Sequence, residues 1–326
     1  MLKNNIKISK FIKIKNRKIL FTPGPGSLLE ENILGLGPFF GRGDNDYKKI
    51  EKYVFNFLKK ITGFKNIVTF QGSGSLAIEI ALNNFIGGNI LVIDTGHYSL
   101  RMLKILKFIK KKNSIIKKIK IVSWKEISRI TGNYDWICAS YVETSIGLKL
   151  PIDLLKILKK KTNSKLMLDA TGSIGLEKKH DVADLITFSS CKGLFGLTGA
   201  SFIAYKLRPR NKVNSFYLDL NTHVNKKITG PYHTISSLFY VFKNYENIKK
   251  SVTINKKKFF KNYSNLIYHP THLQPLLCTY VKKKFSKRKN LILYKTRQKI
   301  NGSVVCHLGE TFLKQNSLGK IQSYLK

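Results

Sequence analysis

Acidic side chains are scarce in this chain. Asp and Glu total 18 against 59 Lys and Arg in 326 residues, a formal net charge of +41. An imbalance of that size raises the question of nucleic-acid or membrane-surface binding. The distribution argues against it. The excess is nearly all lysine, in Lys-Lys and Lys-Lys-Lys blocks scattered among Ile and Asn along the whole length, and nothing resembles a recognition helix, an RNA-binding motif or a zinc module. A solvated basic surface fits better than a nucleic-acid footprint, and its field would concentrate anionic substrates near a cleft. Cysteine is sparse as well. Cys138, Cys191, Cys278 and Cys306 show neither CxxC pairing nor the His spacing of a metal site, which predicts no bound metal and a reduced, cytoplasmic interior. Long apolar runs are missing too. None approaches a membrane span, and residues 1–18, basic throughout, carry no clean apolar core for a signal peptide. That stretch is expected to pack as an arm on a neighbouring surface. No internal repeat is found. Hydrophobic residues at 43% suffice for a packed core, and the length suffices for one large α/β domain plus a smaller one.

What the chain does have is one lysine without lysine neighbours. Lys192 follows the run 184–188, which reads as a buried strand; it is framed by Ser189, Ser190 and Cys191 and leads into the glycine-rich run 193–199. A desolvated lysine has a lowered pKa and attacks carbonyls as a neutral amine, the opening step of Schiff-base enzymes. Taken alone, it reads more readily as a snorkelling lysine at a strand end.

Upstream, Thr22-Pro23-Gly24-Pro25-Gly26 is a stiff turn, with φ set by two prolines and freed at two glycines. After a linker, Ile50, Val54, Phe57, Leu58 and Ile61 recur at helical spacing, which predicts a one-faced helix over 47–61 ending before Gly63. A short strand at 67–70 leads into Gln71-Gly72-Ser73-Gly74-Ser75, after which helical periodicity restarts. Strand, glycine-serine turn and helix make a phosphate cradle, because free N–H groups at a helix start face the anion and serine hydroxyls add donors. A plain Gly/Ser helix cap has the same appearance, and the spacing is neither a P-loop nor a dinucleotide fingerprint.

Further strands are expected at 90–93, leading to Tyr98; at 136–142, leading to Thr144; and at 165–168, leading to Asp169, with a helix over 151–160 between the last two. Tyr98 has the shape to stack on a planar group or simply to pack. This βαβ alternation predicts a mainly parallel sheet with its chemistry at the carboxyl ends of the strands. The glycine-serine turn, Tyr98, Thr144, Asp169 and Lys192 would all leave strands on that one edge.

As a set, Phe21-Thr22-Pro23-Gly24-Pro25, the stretch from Gly72 through Glu79, Glu143-Thr144-Ser145-Ile146-Gly147, the stretch from Leu168 through Ser173, Ser189-Ser190-Cys191-Lys192-Gly193 and the stretch from Ser215 through Leu220 resemble the class V aminotransferases. The likeness covers about two thirds of the chain. Within that family, Asp44 to Tyr47 and Thr95 to Met102 look most like the members that exchange the amino group of an aminophosphonate with pyruvate. The resemblance implies an α/β fold of type I, a mostly parallel seven-stranded sheet flanked by helices with a smaller α+β domain, and pyridoxal 5'-phosphate as cofactor. It implies a large cofactor-binding domain over 44–235, with 1–43 and 236–326 supplying an arm and a reduced small domain. Lys192 would hold the cofactor covalently and then move protons, and Asp169 would keep the pyridine nitrogen protonated. Tyr98 would stack on the ring, Thr144 would bond the ring hydroxyl and Thr171 would pack beneath. Ser73, Gly74 and Ser75 would take the phosphate. Thr234, with Tyr232 as the weaker candidate, would complete the phosphate site of a partner subunit in a homodimer. Substrates would be a small anionic amine and a 2-oxo acid.

Two departures from the family stand out. Cys191 occupies the position before the lysine where the family carries an amide that helps hold the cofactor. Val304 occupies the position of the family arginine that grips the substrate carboxylate, and valine offers nothing comparable. Arg297, Arg101 and Arg42 are the candidates to replace it. The same departures also fit a homologue without catalysis that serves as a dimeric scaffold or regulatory partner.

Overall fold

Seven short apolar segments pair into one sheet. In chain order they are β1 (Asn66–Gln71), β2 (Gly88–Asp94), β3 (Ile116–Ser123), β4 (Trp136–Ser140), β5 (Lys165–Asp169), β6 (Leu185–Ser189) and β7 (Ala200–Tyr205). They lie in the order β1-β7-β6-β5-β4-β2-β3. Neighbours are parallel except at β7, which runs antiparallel to both β1 and β6. The computed structural model describes residues 10, 12, 19–24, 28–39, 41, 43–225, 227–286 and 289–309. Most of the expected N-terminal arm, Pro25 and Gly26 of the stiff turn, and Arg42 lie outside the described residues.

The sheet is covered on both faces, which is why its inner strands read as nearly continuous apolar runs. Period two sorts their side chains: Leu91, Ile93, Ile137, Ala139, Leu166 and Leu168 enter one core cluster, while Ile90, Val92, Trp136, Cys138 and Met167 enter the other. The outer strand β3 is different. It exposes Lys117, Lys118 and Lys120, and charged side chains on an edge strand discourage pairing with a further chain.

The helices between the strands of the sheet and just before it are α1 (Asn45–Thr62), α2 (Gly74–Phe85), α3 (His97–Lys112) and α4 (Ile152–Lys161). The first begins where Asp44 Oδ1 accepts the Asp46 and Tyr47 N–H groups at 2.9 and 3.0 Å, and it stops at Gly63, whose φ of 75° is left-handed. Two expectations are corrected. The linker before α1 contains a short helix, Glu30–Leu34. It is pinned by buried Asn32, whose amide donates to Phe195 O at 3.0 Å and Ser237 O at 3.3 Å, contacts that no local pattern announces. The strand expected to run through Val142 ends at Ser140, because its partner β5 ends opposite, at Asp169. Val142–Glu143 instead pairs with Leu148–Lys149 in a small hairpin.

Beyond the sheet, helices Tyr232–Lys243 and Tyr245–Tyr263 lead to two small sheets, Ile19–Phe21 parallel to Leu291–Leu293 and Cys278–Val281 antiparallel to Ser303–Cys306. Phe21, Phe259, Tyr263, Val281, Phe285, Leu291 and Val305 form a separate apolar cluster that joins early and late parts of the chain. Among the described residues, no helix is long and apolar enough to cross a membrane.

The loop after β5 is braced from below by Ser173, whose hydroxyl lies 2.9 Å from His180 Nε2. His180 is 2% exposed, and burial pushes its imidazole down to about 4, with Asp181 pulling partly the other way. The folded chain therefore binds fewer protons here than the unfolded one, whose histidine titrates near 6.5. This contribution to stability is intact above the unfolded value and is lost as pH falls from there toward the folded one, by about 3 kcal/mol in all and about 2–3 kcal/mol by about pH 4.5. Urea unfolding at about pH 7 and about pH 4.5 should show a stability loss that shrinks by roughly that amount in His180→Gln; an unchanged loss would refute the assignment.

Candidate active site

Because β1, β2, β4, β5 and β6 point the same way, the loops at their carboxyl ends open on one edge. Lys192, three residues beyond β6, is 9% exposed. Its Nζ donates to Thr144 Oγ1 at 3.3 Å and lies 5.2 Å from the centroid of the Tyr98 ring. The lysine stem is held from the other side by the proline-glycine turn. A Cβ on Gly24, whose φ is +117°, would fall 2.3 Å from Cys191 O and 3.2 Å from Lys192 Cγ. Only glycine permits that approach. Cys191 is half-buried, with Sγ 3.8 Å from Ser189 Oγ.

Asp169 ends β5, 4% exposed, and accepts the Thr171 N–H at 2.9 Å. Its strand neighbours β6 directly, so the carboxylate and the lysine leave adjacent strands. Thr171 Oγ1 is buried without a hydrogen-bond partner. It abuts the glycine-serine turn: a Cβ on Gly74 would sit 3.0 Å from that oxygen and 3.6 Å from Ser189 Cβ. Ser73 occupies the N-cap position of α2, yet its side chain makes no capping bond. Its hydroxyl is therefore not used up as the plain-cap reading requires. Ser75 Oγ accepts from Arg101 Nη1 at 2.8 Å.

Sequence reasoning quoted Glu143 only as part of a motif, but it holds this edge together. The carboxylate is fully buried. Oε2 accepts the Tyr98 N–H at 2.9 Å and the Thr95 hydroxyl at 3.4 Å, while Oε1 accepts the Ser145 N–H at 3.3 Å and the Ser145 hydroxyl at 2.5 Å. One side chain thus ties the start of α3, which carries Tyr98, to the turn that carries Thr144. Burial raises its pKa, as does the charge of Asp169; the bonds from Ser145 and Tyr98 oppose the rise. An acid closing an apolar run, directly before the candidate threonine, was the available signal.

The C-terminal segment also reaches this edge, with no local signal to announce it. Tyr294 sets its hydroxyl 3.3 Å from that of Tyr98, and Gln298 Oε1 accepts the His97 N–H at 2.9 Å. Gly96, at φ +132°, makes room, since a Cβ there would stand 2.7 Å from Gln298 Oε1. His97 Nε2 lies 3.2 Å from Arg101 Nη2. An arginine can only donate, so this nitrogen accepts and the ring is neutral with its proton on Nδ1. Burial and the charges of Arg101 and Arg297 hold its pKa down.

Val304 lies in the strand Ser303–Cys306 opposite Tyr280, 1% exposed within the main core. An arginine at this position would carry a charge into that core. Of the candidate replacements, Arg101 sits at the glycine-serine turn, Arg297 is exposed beside His97, and Arg42 lies outside the described residues. Thr234, half-exposed in the first turn of its helix, donates to Thr198 O at 3.1 Å. Tyr232 packs 4.7 Å from the Tyr47 ring and lines a cavity of about 500 Å³ along the free edge of β1, whose walls include neither Lys192 nor Asp169.

Replacing Glu143 by Gln turns an amide NH₂ toward either the Tyr98 or the Ser145 backbone N–H, which can only donate, leaving that N–H without its acceptor. The expected destabilisation is about 1–3 kcal/mol, read from the urea midpoint at constant slope, with Glu143→Ala at least as severe. A Gln variant as stable as the parent would show that the carboxylate is not the tie.

Residues 44–229 match the aminotransferase class-V family. The chain is 24% identical over 273 residues, 76% of its own length and 73% of the other's, to the 2-aminoethylphosphonate–pyruvate transaminase of Pseudomonas aeruginosa. Its fold is shared with ureidoglycine–glyoxylate aminotransferase of Bacillus subtilis, at TM-score 0.78 and 14% identity over 94% of this chain and 92% of that one. It is shared equally with a phosphoserine aminotransferase of Cytophaga hutchinsonii, at TM-score 0.78 and 14% identity over 94% and 99%. With an amine, a carboxylate and a hydroxyl-bearing helix start on one edge of such a sheet, the chain belongs to the class-V aminotransferase family, whose members use pyridoxal phosphate.

Proposed function

We propose that Lys192 is the residue to which pyridoxal phosphate is attached, and that the enzyme passes the amino group of a small anionic amine to a 2-oxo acid. The observation that carries this reading is a nearly buried lysine whose Nζ lies 3.3 Å from Thr144 Oγ1 beside the Tyr98 ring, one strand away from the buried Asp169. The residues fit the cofactor. Thr171 Oγ1 is a buried hydroxyl without a partner, and the missing Cβ of Gly74 leaves open the space in front of it.

Each side chain then has work suited to its chemistry. Ser73, Gly74 and Ser75 would bind the phosphate through the start of α2 and its hydroxyls. Tyr98 would stack on the ring, Thr144 would bond its hydroxyl and Thr171 would lie under it. Asp169 would hold a proton on the pyridine nitrogen, since an adjacent carboxylate favours the charged form. When bound, the cofactor supplies an electron sink that acidifies the carbon bearing the substrate amine. Lys192 Nζ, displaced by the substrate amine, would take the proton from that carbon and return it as general base and acid. Cys191, in place of an amide, would contribute less to the hold.

An aminophosphonate donor with pyruvate as acceptor is supported by the likeness to the Pseudomonas aeruginosa transaminase and by the basic surface. We read the molecule as a homodimer in which Thr234, with Tyr232 as the weaker candidate, serves the partner's phosphate site, supported by the half-exposure of both and by the cavity that Tyr232 lines along the free edge of β1. The division at 44–235 is supported by the sheet on one side and the separate apolar cluster on the other. Four free thiols are in keeping with a cytoplasmic setting.

Purified protein given pyridoxal phosphate should acquire the long-wavelength absorbance of the covalently attached cofactor and lose it when 2-aminoethylphosphonate or another amine in a donor panel is added. Lys192→Ala should abolish the absorbance and at least about 10³-fold of turnover. Full turnover by that variant would overturn the assignment.

A further inference from the structure

We infer that Arg101 is a phosphate-binding residue for the cofactor: it holds Ser75 from behind and brings a positive charge to the start of α2, where the phosphate is read to bind. The inference rests on the proposed cofactor site and adds a residue to it. His97, Tyr98 and Arg101 lie three and four positions apart in α3, so one face of that helix presents all three. The guanidinium carbon sits 5.0 Å from the Tyr98 centroid, Nη1 donates to Ser75 Oγ at 2.8 Å, and Nη2 meets the accepting Nε2 of His97 at 3.2 Å. The last two contacts use two of five N–H groups. They fix the plane of the fork and leave donors free.

The contact with Ser75 has a directional consequence. A hydroxyl has one proton to give and two lone pairs. With Arg101 donating into one of them, the Ser75 O–H is left to donate outward, and an anion at the helix start is its natural acceptor. Arg101 therefore acts twice, through its own charge and by orienting the serine. The clamp is built from three elements: Gln298 of the C-terminal segment holds the His97 backbone and Glu143 holds the Tyr98 backbone, so the face of α3 that carries Arg101 is positioned from both sides. This matters more here because Cys191 stands where the family has an amide to help hold the cofactor. It also removes Arg101 from the candidates for the substrate carboxylate, since its fork is engaged at the glycine-serine turn rather than at the strand Ser303–Cys306.

Titrations of the cofactor-free protein with pyridoxal 5'-phosphate and with pyridoxal, followed by absorbance, separate the possibilities. Arg101→Gln should weaken pyridoxal phosphate binding by about ten- to a hundredfold, with pyridoxal affinity unchanged and Arg101→Lys in between. Ser75→Ala should also weaken the phosphorylated ligand, and the double variant should lose less than the product of the two single losses. Equal losses for both ligands would mark Arg101 as structural, and no loss for either would remove it from the site; both outcomes overturn the inference. If the unaltered protein binds no pyridoxal phosphate, the parent reading falls first and takes this one with it.

Discussion

Parallel strands cannot be joined by a tight turn, and that constraint underlies everything else in this molecule. Each connection between parallel strands of the central sheet must be a crossover that returns the chain to the opposite edge, so the segments leaving the carboxyl ends of β1, β2, β4, β5 and β6 collect on one side. Residues separated by more than a hundred positions, from Ser73 to Lys192, thereby face a common edge without any of them being specified for it locally. The helices serve the same end. Their apolar faces seal both sides of the sheet, and the first turn of α2, whose N-cap side chain makes no capping bond, brings its N–H groups to the edge where the phosphate is proposed to bind.

What turns a shared edge into a site is a set of polar ties that are buried and therefore demanding. Glu143 is the chief of them. A carboxylate removed from water is tolerated only with its oxygens occupied, and here the donors come from the start of α3 and the turn after Val142–Glu143. The requirement to satisfy that charge positions Tyr98 and Thr144 relative to each other. Close backbone approaches at Gly24 and Gly96 supply the remaining closure, one against the lysine stem and the other against Gln298. At Gly24 a Cβ would collide with backbone, whereas at Gly96 it is the φ of +132° that favours glycine.

Much of this was legible beforehand. The helix at 47–61, the strands leading to Tyr98, Thr144, Asp169 and Lys192, and a mainly parallel sheet were readable because each rests on local periodicity or on turn residues, whereas the number of strands came from the family resemblance. The short helix around Asn32 was not, since its bonds run to Phe195 and Ser237. Nor was the arrival of Tyr294 and Gln298, whose partners lie 196 and 201 positions away. The edge strand β3 was hidden by its own lysines, which serve to keep other chains off and so interrupt the apolar pattern by which a strand is recognised.

By itself, the sequence determined the periodicities, the breaks between them and the chemical character of the residues at strand ends, because those follow from the local geometry of helices, strands and turns. Only the tertiary structure decided which side chains touch. It set Arg101 against Ser75, buried Val304 in the core at the position where the family carries an arginine, and made Glu143 the tie between two loops. Such contacts depend on how separate elements pack, and packing is a property of the whole chain that no short window contains.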